Sequence, residues 1–257
     1  MVVNRALAGS GVAFSEVTSE GGFPVFKFET VGKSAGPPKT LIFASPFKPD
    51  LRFSDVLSNE VEILSDPDLV IVYDRPFERH GLRWRDLQQW WAERHGLPDE
   101  EAKGKLYTRL RSALPRSSPP QALLFETFFR TFKQRVLELP ALLPEVWLHW
   151  DPKTVSERGF DALIHSRMDF LMLLPNEVRV VIEVDGKQHY ADGAGKADPK
   201  KYAAMVRADR ELRIRGYDLY RFGAAELQGE GGDECVADFF TRLFARYGLA
   251  SLLTDKE

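Results

Sequence analysis

VRVVIEVDGKQHY, residues Val178–Tyr190, is the stretch on which the reading of this chain turns. Its first half is rich in β-branched residues, the composition of a buried strand. Side chains alternate faces along a strand. Glu183 and Asp185, and Lys187 if the strand reaches it, therefore fall on one face. Charge on an apolar strand is costly to bury unless it is paired or holds a metal ion. Chemistry is expected here.

Working outward, RMDFLMLL (Arg167–Leu174) precedes Pro175-Asn176-Glu177 and the opening strand. Two apolar runs joined by such turn residues predict a β-hairpin. Asp169 is the one acid in its strand, and whether it lies beside Glu183 depends on the register. Downstream, Pro199 to Arg215 reads as a helix with Tyr202, Met205, Val206 and Leu212 as its buried stripe. Gly216 closes it, and YDLYRF (217–222) returns as a strand, an order that implies a crossover with parallel pairing. Upstream, Gln121 to Leu139 reads as a helix, with Phe125, Phe128, Phe129, Phe132 and Val136 at helical spacing. Glu126 sits among them, one turn before Arg130. It either pairs with that arginine at the surface or serves the same chemistry as Glu183. A last amphipathic helix spans 236–249. The predicted order of helix, β-hairpin, helix and strand gives an α/β sandwich that gathers Asp169, Glu183 and Asp185 at one edge.

Strands are predicted at 12–17, 23–29, 40–45 and 69–74, separated by glycine and proline signals. WRDLQQWWAERHG (84–96) reads as an amphipathic helix with Leu87, Trp90 and Trp91 on one face. The tryptophan pair is a stacking platform only if it is not core, the commoner use of such residues. Leu106 to Leu114 predicts another helix. PRSSPP (115–120) reads as a linker or helix entry and sets the expected boundary between a smaller β-rich α+β domain, 1–118, and a second domain, 119–257.

The chain has 257 residues, 44% of them hydrophobic and 28% charged, the balance of a soluble globular protein. No run approaches the roughly 18 apolar residues that span a bilayer. The first residues lack the apolar core of a secretory signal, and Cys235 alone can form neither an internal disulfide nor a multi-cysteine zinc site. A cytoplasmic protein without a membrane partner is expected. The net charge of −3 does not advertise a nucleic-acid binder. Locally, however, Lys187 to Arg221 carries nine basic residues, Arg207 and Arg210 among them, against five acidic. That window is either a solvated helix face or a phosphate-contacting surface. GGDE (231–234) and GAGK (193–196) lack the sequence context their look-alike motifs need.

Two or three carboxylates in such a setting suit Mg2+ or Mn2+, which prefer oxygen ligands and keep several waters. Such an ion stabilises charge on a phosphate and lowers the pKa of an attacking water, while Lys187 orients that water or neutralises charge. No Gly-x-Ser-x-Gly elbow argues for acyl transfer instead.

Asp169, followed after a turn by Glu183-Val184-Asp185-Gly186-Lys187, resembles the core of the PD-(D/E)XK nucleases. IEVDGKQH (182–189), Asp209-Arg210 and GYDLYRF (216–222) resemble its very-short-patch-repair-like branch, over residues 119–227. The resemblance implies a restriction-endonuclease-like α/β sandwich and a Mg2+- or Mn2+-dependent endonuclease. It makes Asp169 and Glu183 metal ligands, Asp185 a third ligand or water-holder, and Glu126 an accessory acid on the preceding helix. The superfamily wants an acid, one spacer and a lysine, so Asp185 and Lys187 compete for one role. Gln188, His189, Arg207 and Arg210 are the candidate nucleic-acid contacts. The expected partner is nucleic acid, DNA before RNA, with a homodimer as a further option. KTLIFAS (39–45), KPDLRFSDVLSNEVEIL (48–64), VYDRPF (72–77) and GLRWRDLQQWW (81–91) resemble the N-terminal domain of AbiJ-type abortive-infection proteins. That resemblance implies phage defence and a sensing or regulatory role for the first domain. The rival expectation is a degenerate nuclease fold that binds nucleic acid without cutting it.

Overall fold

A computed structural model describes residues 13–20, 23–29, 41–47, 49, 51–55, 60–64, 69–147, 167–193 and 195–254. It is a mixed α/β structure whose contacts divide into two compact units. One comprises Met1–Lys39 with Asp74–Pro76, the other Thr40–Tyr73 with Phe77–Glu257. Within the first, β1 (Ala13–Glu20) and β2 (Phe23–Glu29) pair antiparallel from Ala13↔Glu29 to Glu20↔Phe23.

The second unit is built on a six-stranded mixed sheet. Its strands are β3 (Leu41–Phe43), β6 (Ile71–Tyr73), β7 (Leu143–Trp147), β8 (Arg167–Leu173), β9 (Arg179–Asp185) and β10 (Tyr217–Gly223), in the order β10-β9-β8-β7-β3-β6. Only β9 and β10 run parallel. A separate hairpin joins β4 (Leu51–Asp55) to β5 (Glu60–Ile63).

The β8–β9 hairpin forms as the sequence predicts. Asn176 and Glu177 both adopt positive φ, 61° and 60°, as the two central residues of a tight hairpin turn must. Val180, Val181 and Ile182 are all fully buried, so β9 is covered on both faces. On the face of Phe170 and Phe222 lie two helices, α3 (Pro119–Thr131) and α5 (Gly232–Arg246). Their contacts are rings. Phe125 lies 6.4 Å from Phe170, Phe128 4.8 Å from Phe240, and Phe239 4.9 Å from Phe222. The buried residues of α5, Val236, Phe240, Leu243 and Phe244, repeat at helical spacing. Each fully buried phenylalanine contributes roughly 1.5–3 kcal/mol of apolar transfer.

Two more helices, α1 (Trp84–His95) and α2 (Asp99–Ser112), pack on α3 through Trp84–Phe129 at 4.8 Å and Tyr107–Phe125 at 5.6 Å. Asp86 caps α1 by accepting the Arg83 amide at 3.0 Å, and Gly96, with φ of 61°, ends it. The fifth helix, α4 (Pro199–Ile214), carries the chain from β9 to β10. Asp198 caps it by accepting from the Lys200 amide at 2.9 Å, with Pro199 in the first turn. Its expected stripe is only partly buried. Ala208 is enclosed, Met205, Val206 and Leu212 are half-buried, and Tyr202 is exposed.

Two expectations are corrected here. The boundary expected between 118 and 119 is crossed by the sheet, because Ile42 of β3 pairs with Trp147 of β7. The outer edge of β7 needs a partner, and the strand read as N-terminal supplies it. PRSSPP is thus the entry to α3, with prolines in its first turn. The helix expected over Gln121 to Leu139 stops at Thr131. A short 3-10 turn, Val136–Glu138, follows it. The chain leaves the helix axis where Phe132 packs against Phe244 at 5.7 Å.

Candidate active site

The β8–β9 ladder runs from Leu173↔Arg179 to Phe170↔Ile182 and then stops, although both strands continue. Beyond that point the Val184 amide donates to Asp169 Oδ2 at 2.9 Å. The Asp169 carboxylate stands in for a backbone acceptor where the ladder opens. Leu171 and Val181 are register partners, so alternation puts Asp169 and Glu183 on their common face. The two acids flagged from the sequence are therefore neighbours.

Next to Glu183, the parallel register of β10 supplies Arg221. Its Nη1 donates to both Asp185 oxygens at 2.7 and 2.8 Å, and its Nε and Nη2 donate to Asp209 Oδ1 on α4 at 3.0 and 2.7 Å. On the other side, β7 presents Glu145, fully buried, with φ of 49°. Arg167 Nη1 lies 3.0 Å from Glu145 Oε2. This is an ion pair rather than an aligned hydrogen bond, and both Glu145 oxygens lack a hydrogen-bond partner.

The electrostatics follow from this crowding. Burial raises the Glu183 carboxyl well above the ordinary range, and the Asp169 charge adds to it, against Arg221. Burial also raises Asp169, opposed by the Val184 amide and the Gln121 side chain. Glu145 is pushed up to about 8 by burial, with Arg167 opposing and Asp169 reinforcing. For Arg221, burial works against the charge, but hydrogen bonds to Asp209 and the charges of Asp185 and Glu183 outweigh it and raise it. Five carboxyl groups (Glu145, Asp169, Glu183, Asp185, Asp209) thus face two guanidinium groups, Arg167 and Arg221.

The other expected residues fare differently. Asp185 reaches the same face, but Arg221 occupies both its oxygens. The trio of Asp169, Glu183 and Asp185 is therefore not gathered as a ligand set. Among the described residues no group of three His, Cys, Asp or Glu side chains is poised to hold a metal ion. Asp169 and Glu183 remain as a pair of oxygen donors, the number of carboxylates that Mg2+ commonly takes from a protein. Lys187 is exposed on a 3-10 turn, Lys187–His189, because the strand ends at Asp185 and its alternation goes no further. His189 Nδ1 lies 3.6 Å from Asp185 Oδ1. The side chain of Gln188 lies outside the described residues. Arg207 and Arg210 are exposed on α4.

Glu126 is a correction. It accepts from Arg111 Nε at 2.6 Å and takes no part in the Asp169 group. The residue of α3 that does reach Asp169 is Gln121. The two are five positions apart, which places them roughly 140° apart around the helix.

Sequence reasoning missed Glu145 and the role of Arg221. The signal for Glu145 was the one used for Asp169, a lone acid within an apolar run, LLPEVW (142–147). No family model, curated protein or solved structure matches this chain. No helix among the described residues is long and apolar enough to cross a membrane.

Proposed function

We propose that this chain is a divalent-metal-dependent endonuclease of the PD-(D/E)XK kind, acting on DNA before RNA. The observation that carries the reading is the excess of carboxyl groups over guanidinium groups around Asp169 and Glu183. A plain ion-pair network would balance its charges, because uncompensated buried charge is costly. Protons on the raised carboxyls offset that excess in the metal-free protein, and in our reading a divalent cation takes their place. The order α3, β7, β8, β9, α4, β10, with β10 parallel to β9, also supports a restriction-endonuclease-like sandwich.

In this reading Asp169 and Glu183 hold Mg2+ or Mn2+. Such an ion, when bound, supplies charge neutralisation at the phosphate and acidifies a water. The Val184 amide and Gln121 fix the Asp169 carboxylate, and Arg221 fixes Asp185 beside it. Lys187 and His189, on the turn that follows β9, meet the backbone phosphate, with Arg207 and Arg210 extending the contact. A role in phage defence rests on the N-terminal resemblance alone.

A second reading, a nuclease fold that binds nucleic acid without cutting, is favoured by three features. Asp185 is held by Arg221, Lys187 lies off the strand, and an amide, Gln121, is what reaches Asp169 from α3. Incubation with single- and double-stranded DNA and RNA, with Mg2+, Mn2+ or EDTA, separates the two. Divalent-dependent cleavage lost in Asp169→Ala and Glu183→Ala supports the enzyme. Cleavage unchanged in both variants removes the site assignment, and salt-sensitive binding without cleavage supports the module.

A further inference from the structure

We propose that Arg167 binds a backbone phosphate of a nucleic acid where the β8–β9 hairpin opens, an inference that rests on reading this face as a nucleic-acid site. Arg167 and Asp169 stand two residues apart on β8, so alternation puts them on one face. Extending the register from Phe170↔Ile182 by three steps sets Arg167 level with Asp185. The ladder stops short of that level, and Asp185 is held by Arg221 instead. Arg167 is therefore left at the unpaired mouth between β8 and β9, beside the two proposed metal ligands. Its charge is felt at both, lowering Asp169 and Glu183 against their burial.

The two guanidinium groups of this face are unequal. Arg221 gives its donors to Asp185 and Asp209, and its side chain is 21% exposed. The Arg167 side chain is 35% exposed, and among the described residues its one polar side-chain partner is Glu145. That contact engages Nη1 alone and is not an aligned hydrogen bond. The edge formed by Nε and Nη2 is uncommitted, and such an edge takes two phosphate oxygens side by side. Glu145 itself is wholly enclosed and holds φ of 49°, a strained conformation for a residue with a side chain. A strained, buried acid spent on one half-exposed arginine adds nothing to the fold that an apolar pair would not. It does fix a cation at the rim of an acidic row. A phosphodiester approaching Asp169 and Glu183 meets repulsion, and a guanidinium beside them offsets it where charge develops.

Fluorescence anisotropy across a salt series tests this, with the full chain, Ca2+, and a labelled DNA duplex or single-stranded RNA as probe. Cleavage of the same probes in Mg2+ is scored separately. The parent is expected to bind at least one probe. Arg167→Ala should weaken that binding by about tenfold to a hundredfold, the worth of a hydrogen bond to a charged group. It should also lower the slope of log affinity against log salt by about 0.7–0.9, the counterion release of one phosphate. A merely structural role would leave that slope where it is. Arg167→Lys should keep the slope and recover part of the affinity. Arg167→Ala leaves Glu145 buried without its cation, so Arg167→Gln combined with Glu145→Gln supplies a neutral pair. The double variant should melt near the parent and show the same fall in slope. A parent that binds neither probe overturns the proposal, as does an unchanged slope in both neutral variants. Binding without cleavage removes the endonuclease reading, and Arg167 then stands or falls by the slope alone.

Discussion

Glu183 and Arg221 are register partners in the parallel β9–β10 pair, yet Arg221 directs its guanidinium to Asp185 and Asp209. Glu183 is left with the electrostatic influence of that arginine while its carboxyl is raised by burial and by Asp169. One arginine thus ties the end of a strand to a helix and leaves the neighbouring acid undercompensated.

Removing Arg221 should therefore be severe. Arg221→Ala removes the guanidinium that Asp185 and Asp209 share, and a loss of about 3–5 kcal/mol is expected. Arg221→Lys keeps the charge but not the fork that spans two carboxylates, and should lie between the two. Urea denaturation monitored by circular dichroism measures both. An alanine variant within about 0.5 kcal/mol of the parent would show that the bridge carries little stability.

The raised acids make metal-free stability fall with pH. A carboxyl with a folded pKa above its unfolded value stabilises the fold when protonated, and that contribution is lost as the pH rises. For Glu145 the window runs from its ordinary 4.5 to about 8, and Asp169 and Glu183 shift in the same direction. Glu145→Gln removes one of these titrations. It should flatten the melting profile across that window and stabilise the protein at its upper end by on the order of 2 kcal/mol. A profile as steep as the parent's would exclude Glu145 as a contributor.

Asp169 and Glu183 should part company in the metal-free protein. Asp169→Ala strips the Val184 amide of its acceptor and should cost about 1–3 kcal/mol. Glu183→Gln replaces an acid that burial already drives toward its neutral form, and should be neutral or stabilising. On the proposed reading Mn2+ should raise the melting temperature of the parent, and neither variant should show that shift. Because the ion displaces protons from raised carboxyls, its affinity should grow with pH. Calorimetry at several pH values measures this, and a pH-independent affinity would contradict it.

The hairpin turn offers an opposite test. Glu177 holds a left-handed conformation that glycine adopts without steric cost. Glu177→Gly should leave the fold unharmed and raise its stability by about 0.5–1 kcal/mol in thermal melts. A destabilised variant would mean that the Glu177 side chain outweighs the backbone strain.

The β8–β9 hairpin was legible because two apolar runs and the turn residues between them agreed across Arg167–Asp185. Strand β7 was not. Pro144 speaks against a strand, and Glu145, at positive φ, breaks the alternation that would have exposed its pattern. Arg221 was visible as part of a strand, but its place beside Glu183 is a property of a parallel register that no local pattern encodes. Glu126 looked suitable because it lies among phenylalanines. Which residue of α3 reached Asp169 depended on the helix's rotation over the sheet, and that was set by packing.

The pairing of Ile42 with Trp147 has a practical and an evolutionary edge. A fragment beginning at Pro119 would bare the flank of β7, a short apolar strand with open amide and carbonyl groups, and invite edge-to-edge aggregation. Failure of such a fragment would say nothing about the chemistry of Asp169 and Glu183. The sheet that carries the acidic row begins with β3, so recombination cutting at the proline-rich segment would pass on only four of its six strands.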